Sequence, residues 1–106
     1  MAGAIRVGDR ERGRCDDGHR CCSHEREGVC RSGSANVLIN GLGAISRGDI
    51  GLCNCPHRGM FYVRGGSATV LVNGRELSYV GVKTRCIKCC KAGKLVEGSG
   101  DVIVGG

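Results

Sequence analysis

The chain has 106 residues, a formal net charge of +6, 20 glycines, nine cysteines, three histidines, one phenylalanine and no tryptophan. That is enough chain for one domain but too little aromatic area for a large core, so metal ions or disulfides must supplement apolar burial. No apolar run reaches the roughly 18 residues of a transmembrane helix, the N-terminus lacks the apolar stretch of a signal peptide, and scarce aromatic side chains argue against a base-stacking nucleic-acid surface.

In chain order, Ala4–Asp9 reads AIRVGD and has the form of the closing half of a repeat without its opening half. A 23-residue gap follows, carrying Cys15, His19, Cys21, Cys22, His24 and Cys30. The first complete unit opens as GSANVLING from Gly33 and closes at Arg47-Gly48-Asp49. A 16-residue gap contains Cys53-Asn54-Cys55-Pro56-His57, after which GSATVLVNG opens a second unit at Gly66. That unit closes at Tyr79-Val80-Gly81, with Val82 where the Asp would stand. A 15-residue gap with Cys86, Cys89 and Cys90 leads to a final opening half, GSGDVIVGG from Gly98. Every cysteine and histidine therefore lies in a gap.

The openings are 33 and 32 residues apart, and each closing Gly stands 15 residues after its opening Gly. Overlaying the fragments on the complete units makes Met1 and Gly106 equivalent. Residues 98–106 and 1–9 then join into a third unit beside 33–49 and 66–82, within a single domain 1–106. Three units cut in this way predict a closed, pseudo-threefold object rather than an open solenoid.

Val37-Leu38-Ile39, Val70-Leu71-Val72 and Val102-Ile103-Val104 are β-branched runs ending at Asn-Gly or Gly-Gly, the signature of short strands entering tight hairpins. The returning strands are placed at Ala44–Arg47 and Leu77–Val80, and the gaps are read as loops. No segment has helical periodicity, so the fold class is all-β. Arg47-Gly48-Asp49 occupies the closing position of the repeat, where a positive-φ glycine suits a turn better than an adhesion motif suits a surface. Asp16, Asp17, Glu25 and Glu27 have no partnering nucleophile or base, and the chain is not expected to be an enzyme.

The ArgValGlyAsp-type closures, the GSxxVLxNG openings and the Cys55-Pro56-His57 of the middle gap together resemble the PAAR-repeat proteins, named for a Pro-Ala-Ala-Arg motif. The resemblance spans the whole chain, although the namesake tetrapeptide is replaced at both complete units. It implies a small conical pseudo-threefold β-prism of three repeated hairpins closed by the termini, with a metal at the apex. It also implies a function: a stand-alone membrane-piercing tip, without an effector extension, on the trimeric β-helical spike of a type VI secretion system or a phage-tail-like contractile injection machine.

In the family one ion, usually zinc, is held by His and Cys from the gaps. Cys55 and His57 match the family sequence, and Cys86 keeps the family's five-residue step from Gly81. The first gap offers His19 or His24 without a basis for choosing. Iron is the other candidate metal, Cys53, Cys89 and Cys90 are the alternatives to the ligands named, and Cys15 with Cys21, Cys22 or Cys30, joining Cys89 or Cys90, leaves a second ion open. The resemblance further implies one tip monomer per spike trimer, effectors as further partners, no nucleic acid and transient contact with a target membrane. Such a tip is made in the cytoplasm and delivered outside it. Val37–Asn40, Val70–Asn73 and Val102–Val104 are the segments expected to build its base. Two other classes compete: a zinc-ribbon-like module on Cys53-x-Cys55 and Cys86-x-x-Cys89, and a disulfide-rich secreted domain.

Overall fold

The computed structural model describes residues 2–15, 24–53, 59–87 and 92–104, and these are all-β, with no helix among them. The strands are, in order, β1 (Ala2–Gly3), β2 (Arg10–Cys15), β3 (His24–Cys30), β4 (Leu38–Ile39), β5 (Leu42–Gly43) and β6 (Ile50–Cys53). They continue as β7 (Met60–Val63), β8 (Leu71–Val72), β9 (Arg75–Glu76), β10 (Lys83–Cys86), β11 (Ala92–Leu95) and β12 (Ile103–Val104).

The repeat openings fold as the expected hairpins, β4-β5 and β8-β9, while β12 pairs with β1 so that the two ends of the chain complete the third. Asn40 and Gly41 have φ of 53° and 80°, and Asn73 and Gly74 have 52° and 84°. Two consecutive positive-φ residues are what a two-residue turn matched to strand twist requires. That turn makes the chain return at once, at Leu42 and Arg75, two residues before the predicted return strands. The predicted segments instead serve a different purpose. Ala44, Leu77 and Ala4 each add one bond to their own hairpin, with N–H donated to Val37, Val70 and Val102 carbonyls at 3.0, 2.9 and 2.9 Å. The chain then crosses to the neighbouring units through the isolated bridges Ala4–Tyr79, Arg6–Ala44 and Ser46–Leu77.

Those crossings form a ring. Ile5 N–H donates to the Ser78 carbonyl (3.1 Å), Ser78 N–H to Ile45 (2.9 Å), and Ile45 N–H back to Ile5 (3.0 Å). All three residues are without solvent exposure. On one side of the ring, Ala4, Ala44 and Leu77 pack with Ile39, Val72 and Val104 from the hairpins. On the other, Ile5 and Ile45 pack with Cys30, Phe61, Val63, Val82 and Leu95.

The three gaps, read from sequence as loops, are β-hairpins. Strands β10-β11-β2-β3-β6-β7 close into an antiparallel barrel. Each barrel hairpin is fastened at its root by the same pair of bonds. Gly8, Gly48 and Gly81 donate to the carbonyls of Cys30, Val63 and Leu95, and those residues donate to Asp9, Asp49 and Val82. The closing glycines have φ of 98°, 92° and 101°, the geometry that the third residue of such a turn demands of glycine. Asp9 and Asp49 also accept the backbone N–H three residues back at 2.8 and 2.7 Å, and Val82 replaces this polar brace with a buried aliphatic contact.

Each opening Ser ties its own turn, Ser34, Ser67 and Ser99 accepting from the N–H groups two and three residues on. The glycine before each serine is required by close approach. A Cβ on Gly66 would stand 2.6 Å from both the Glu76 and Leu77 carbonyl oxygens, whereas one on the adjacent Gly65 would meet nothing nearer than Val82 at 4.0 Å. Gly66→Ala should therefore destabilise the domain by at least about 3 kcal/mol, and Gly65→Ala by no more than about 1 kcal/mol, in equilibrium denaturant unfolding.

Candidate functional site

Two ends of the molecule are chemically distinct. All three barrel strand pairs start and finish at the ring, so the outer ends of β2, β6 and β10 lie on the same side of it. Cys15 closes β2 and pairs in register with His24, the first residue of β3. Cys53 closes β6 opposite Gly28, and Cys86 closes β10 opposite Phe61. Cys86 is fully buried on the interior face of its strand and Cys53 is half-buried. These three strand-end cysteines lie on the same side of the ring. His19, Cys55 and His57 lie outside the described residues, as do Cys21, Cys22, Cys89 and Cys90, and only the backbones of Cys15 and His24 are described. Among the described residues no three His, Cys, Asp or Glu side chains come together as a metal site.

Cys30 separates from the other thiols. It sits at the root of its hairpin, making the bonds that Val63 and Leu95 make in the other two, and is 1% exposed within the core. Cys30 is therefore the first unit's counterpart of a Val and a Leu, a small hydrophobe rather than a ligand. Burial, helped by Asp9, Glu11 and Asp49, pushes its thiol from an ordinary 9.0 up to about 12 and so opposes the thiolate that a metal needs.

Sequence reasoning also missed Glu11, which is inside the barrel with no exposure and accepts a 2.8 Å bond from the Thr84 hydroxyl. Its signal was the alternation of Arg10-Glu11-Arg12-Gly13, which puts the two arginines on one face of a strand and Glu and Gly on the other. Arg12 pairs outward with Glu27 at 3.1 Å, and Arg10 with Glu97 at 3.5 Å.

At the opposite end, the first residue of each repeat hairpin points outward and the second inward. Leu38, Leu71 and Ile103 are 58%, 59% and 50% exposed, while Ile39, Val72 and Val104 are buried. Val70, Val102 and Leu42 extend this apolar rim. The hairpins here are two-stranded sheets; β5, β9 and β1 accept from Val7, Arg47 and Val80 of neighbouring units, while the outer edges of β4, β8 and β12 have no further ladder partner among the described residues. Side chains staple the units across this end. Asn40 accepts from Ser99 (2.6 Å) and donates to Asp101 (3.2 Å), and Asn73 donates to Ser34 and Asn36 (both 3.1 Å). No protein-family model matches the chain, and no curated protein does.

Between about pH 9 and 12 the unfolded Cys30 thiol ionises while the folded one does not. Stability should fall as pH rises through that window by up to about 1.4 kcal/mol per unit from this group. Cys30→Val should keep the fold and remove that contribution to the alkaline slope, measured by denaturant unfolding at a series of pH values in protein alkylated at its accessible thiols.

Proposed function

We propose that the chain is the tip of a contractile injection machine, a conical pseudo-threefold β-prism that caps a trimeric β-helical spike, as its resemblance to the PAAR-repeat proteins implies. The observation that carries this reading is the triangle of Leu38, Leu71 and Ile103, three equivalent exposed aliphatic side chains presented by one polypeptide around a closed ring of backbone bonds. A monomer built on internal threefold repetition can offer the same contact to three identical subunits at once, which a monomer without it cannot. The open outer edges of β4, β8 and β12 suit pairing with exposed strand ends of such a trimer.

At the other end His24, Cys55, His57 and Cys86 would hold a zinc ion that ties the three gap segments together. The choice of His24 over His19 follows from the hairpin roots. His24 and His57 each stand six residues before their root residues, Cys30 and Val63, whereas His19 stands eleven before Cys30. Zinc supplies a tetrahedral joint and no bond cleavage, because the task is mechanical. The base binds the spike, the bound apex stays narrow and stiff, and the force of sheath contraction is delivered over a small area of target membrane. Effectors are further cargo on this reading.

Leu71→Asp should leave the melting temperature near that of the parent, since the side chain is already 59% exposed, yet weaken capture by the cognate spike trimer at least tenfold. Unweakened capture by the folded variant would sink the cap reading. Elemental analysis of reduced protein should find zinc, and chelation should lower the melting temperature by about 10 °C or more. Metal content should fall on His24→Ala but not on His19→Ala, and the reverse result would move the ligand.

A further inference from the structure

The outer wall of the barrel carries a charge arrangement that neither end explains. Lys83 on β10, Lys94 on β11 and Arg12 on β2 are consecutive partners in register, so three exposed cations stand side by side across three strands. Arg12 is answered on its far side by Glu27, its own partner on β3. No carboxylate pairs with Lys83 or Lys94 among the described residues. Like charges placed directly opposite one another on a sheet oppose folding, so this row is a cost to the isolated domain.

The row borders a shallow depression of about 410 Å3 whose floor is Ala92 and Gly93 and whose edge includes Val96. Small residues there leave the cationic side chains free to converge on a ligand. The wall is also amphipathic. Val96 is 46% exposed and bonded through its N–H to the Arg10 carbonyl, and beyond Arg10 the surface turns aliphatic through its register partner Val29 and then Leu52.

We infer that this wall binds the surface of an anionic phospholipid membrane, with Lys83, Lys94 and Arg12 on headgroup phosphates and Val96 at the acyl boundary. Clustered cations beside exposed aliphatic side chains are the chemistry of an interfacial membrane contact. A nucleic acid would want aromatic platforms, and the chain's single Phe is buried. An acidic protein would leave Val96, Val29 and Leu52 wet. The inference stands on the wall alone and holds or fails independently of the spike reading.

The test is co-sedimentation of the full chain with phosphatidylcholine vesicles, with or without phosphatidylglycerol, at low and at raised salt. Binding should require phosphatidylglycerol and weaken as salt rises. Each lysine near such a surface is worth about a fivefold change, so Lys83→Gln with Lys94→Gln should weaken binding at least tenfold. Relief of the opposed charges means that this double variant melts no lower than the parent. Arg31→Gln with Arg47→Gln removes the same net charge from exposed positions outside the row and should keep most of the binding. Absence of binding at low salt, equal loss in both double variants, or tighter binding to duplex DNA or polyglutamate that the lysine variant abolishes would each overturn the inference.

Discussion

The ring of backbone bonds among Ile5, Ile45 and Ser78 is the constraint on which the rest of the structure depends. Each of these N–H and C=O groups is buried and would be costly to leave unmade, and each finds its partner only in a different unit. No unit can satisfy its own crossing segment. Three further bonds, from Val7 to Gly43, Arg47 to Glu76 and Val80 to Gly3, repeat the same interdependence one step outward. Folding of the chain is therefore a closure, and the pairing of β1 with β12 is its last seam. One side of the ring is committed to the repeat hairpins and the other to the barrel, so a displacement at either end is resisted through the same six bonds.

Inside the barrel the threefold repetition is broken on purpose. Phe61 has no exposure and fills the interior from one unit alone. Its counterparts, counted back from the hairpin roots, are Gly28 and Gly93, and a Cβ on Gly28 would come within 2.7 Å of the Phe61 ring. Gly51 faces the same ring and has no room for a Cβ either. One large side chain and three glycines do what three equal medium side chains could not do around a narrow axis, where identical groups would collide. The Glu11–Thr84 hydrogen bond occupies the remaining interior at that level.

This explains what was legible in the sequence. The repeat hairpins were, because Asn-Gly turns, β-branched runs and spaced glycines are local signals with local causes, and their closure through the termini followed from counting. The barrel strands were not. A strand such as Arg10–Cys15, reading RERGRC, has no apolar alternation because its inward positions are Glu11, bonded to Thr84, and Gly13. The return strands were placed two residues late because the crossing segments, Ala44–Ser46 and Leu77–Tyr79, carry strand-like residues whose partners are in other units. Among the thiols, count alone could not tell Cys30 from a ligand. Register could, since it stands where Val63 and Leu95 stand.

The distribution of side-chain volume along the barrel gives the proposed ion its physical motive. Burial is dense at the ring, where Ile5, Ile45, Val63, Val82 and Leu95 meet, and Phe61 extends it one strand step outward. In register with Phe61 and its counterparts Gly28 and Gly93 stand Cys86, Cys53 and Gly13, none larger than a thiol. Ladder hydrogen bonds hold a short hairpin poorly without an apolar face beneath them. Hairpins that run outward beyond their own core need another tie, and small chains find it in ligands rather than in more hydrophobes. Cys53 and Cys86 stand where the large hydrophobes of the described barrel interior end. On that arrangement the proposed ion would continue the core by other chemistry.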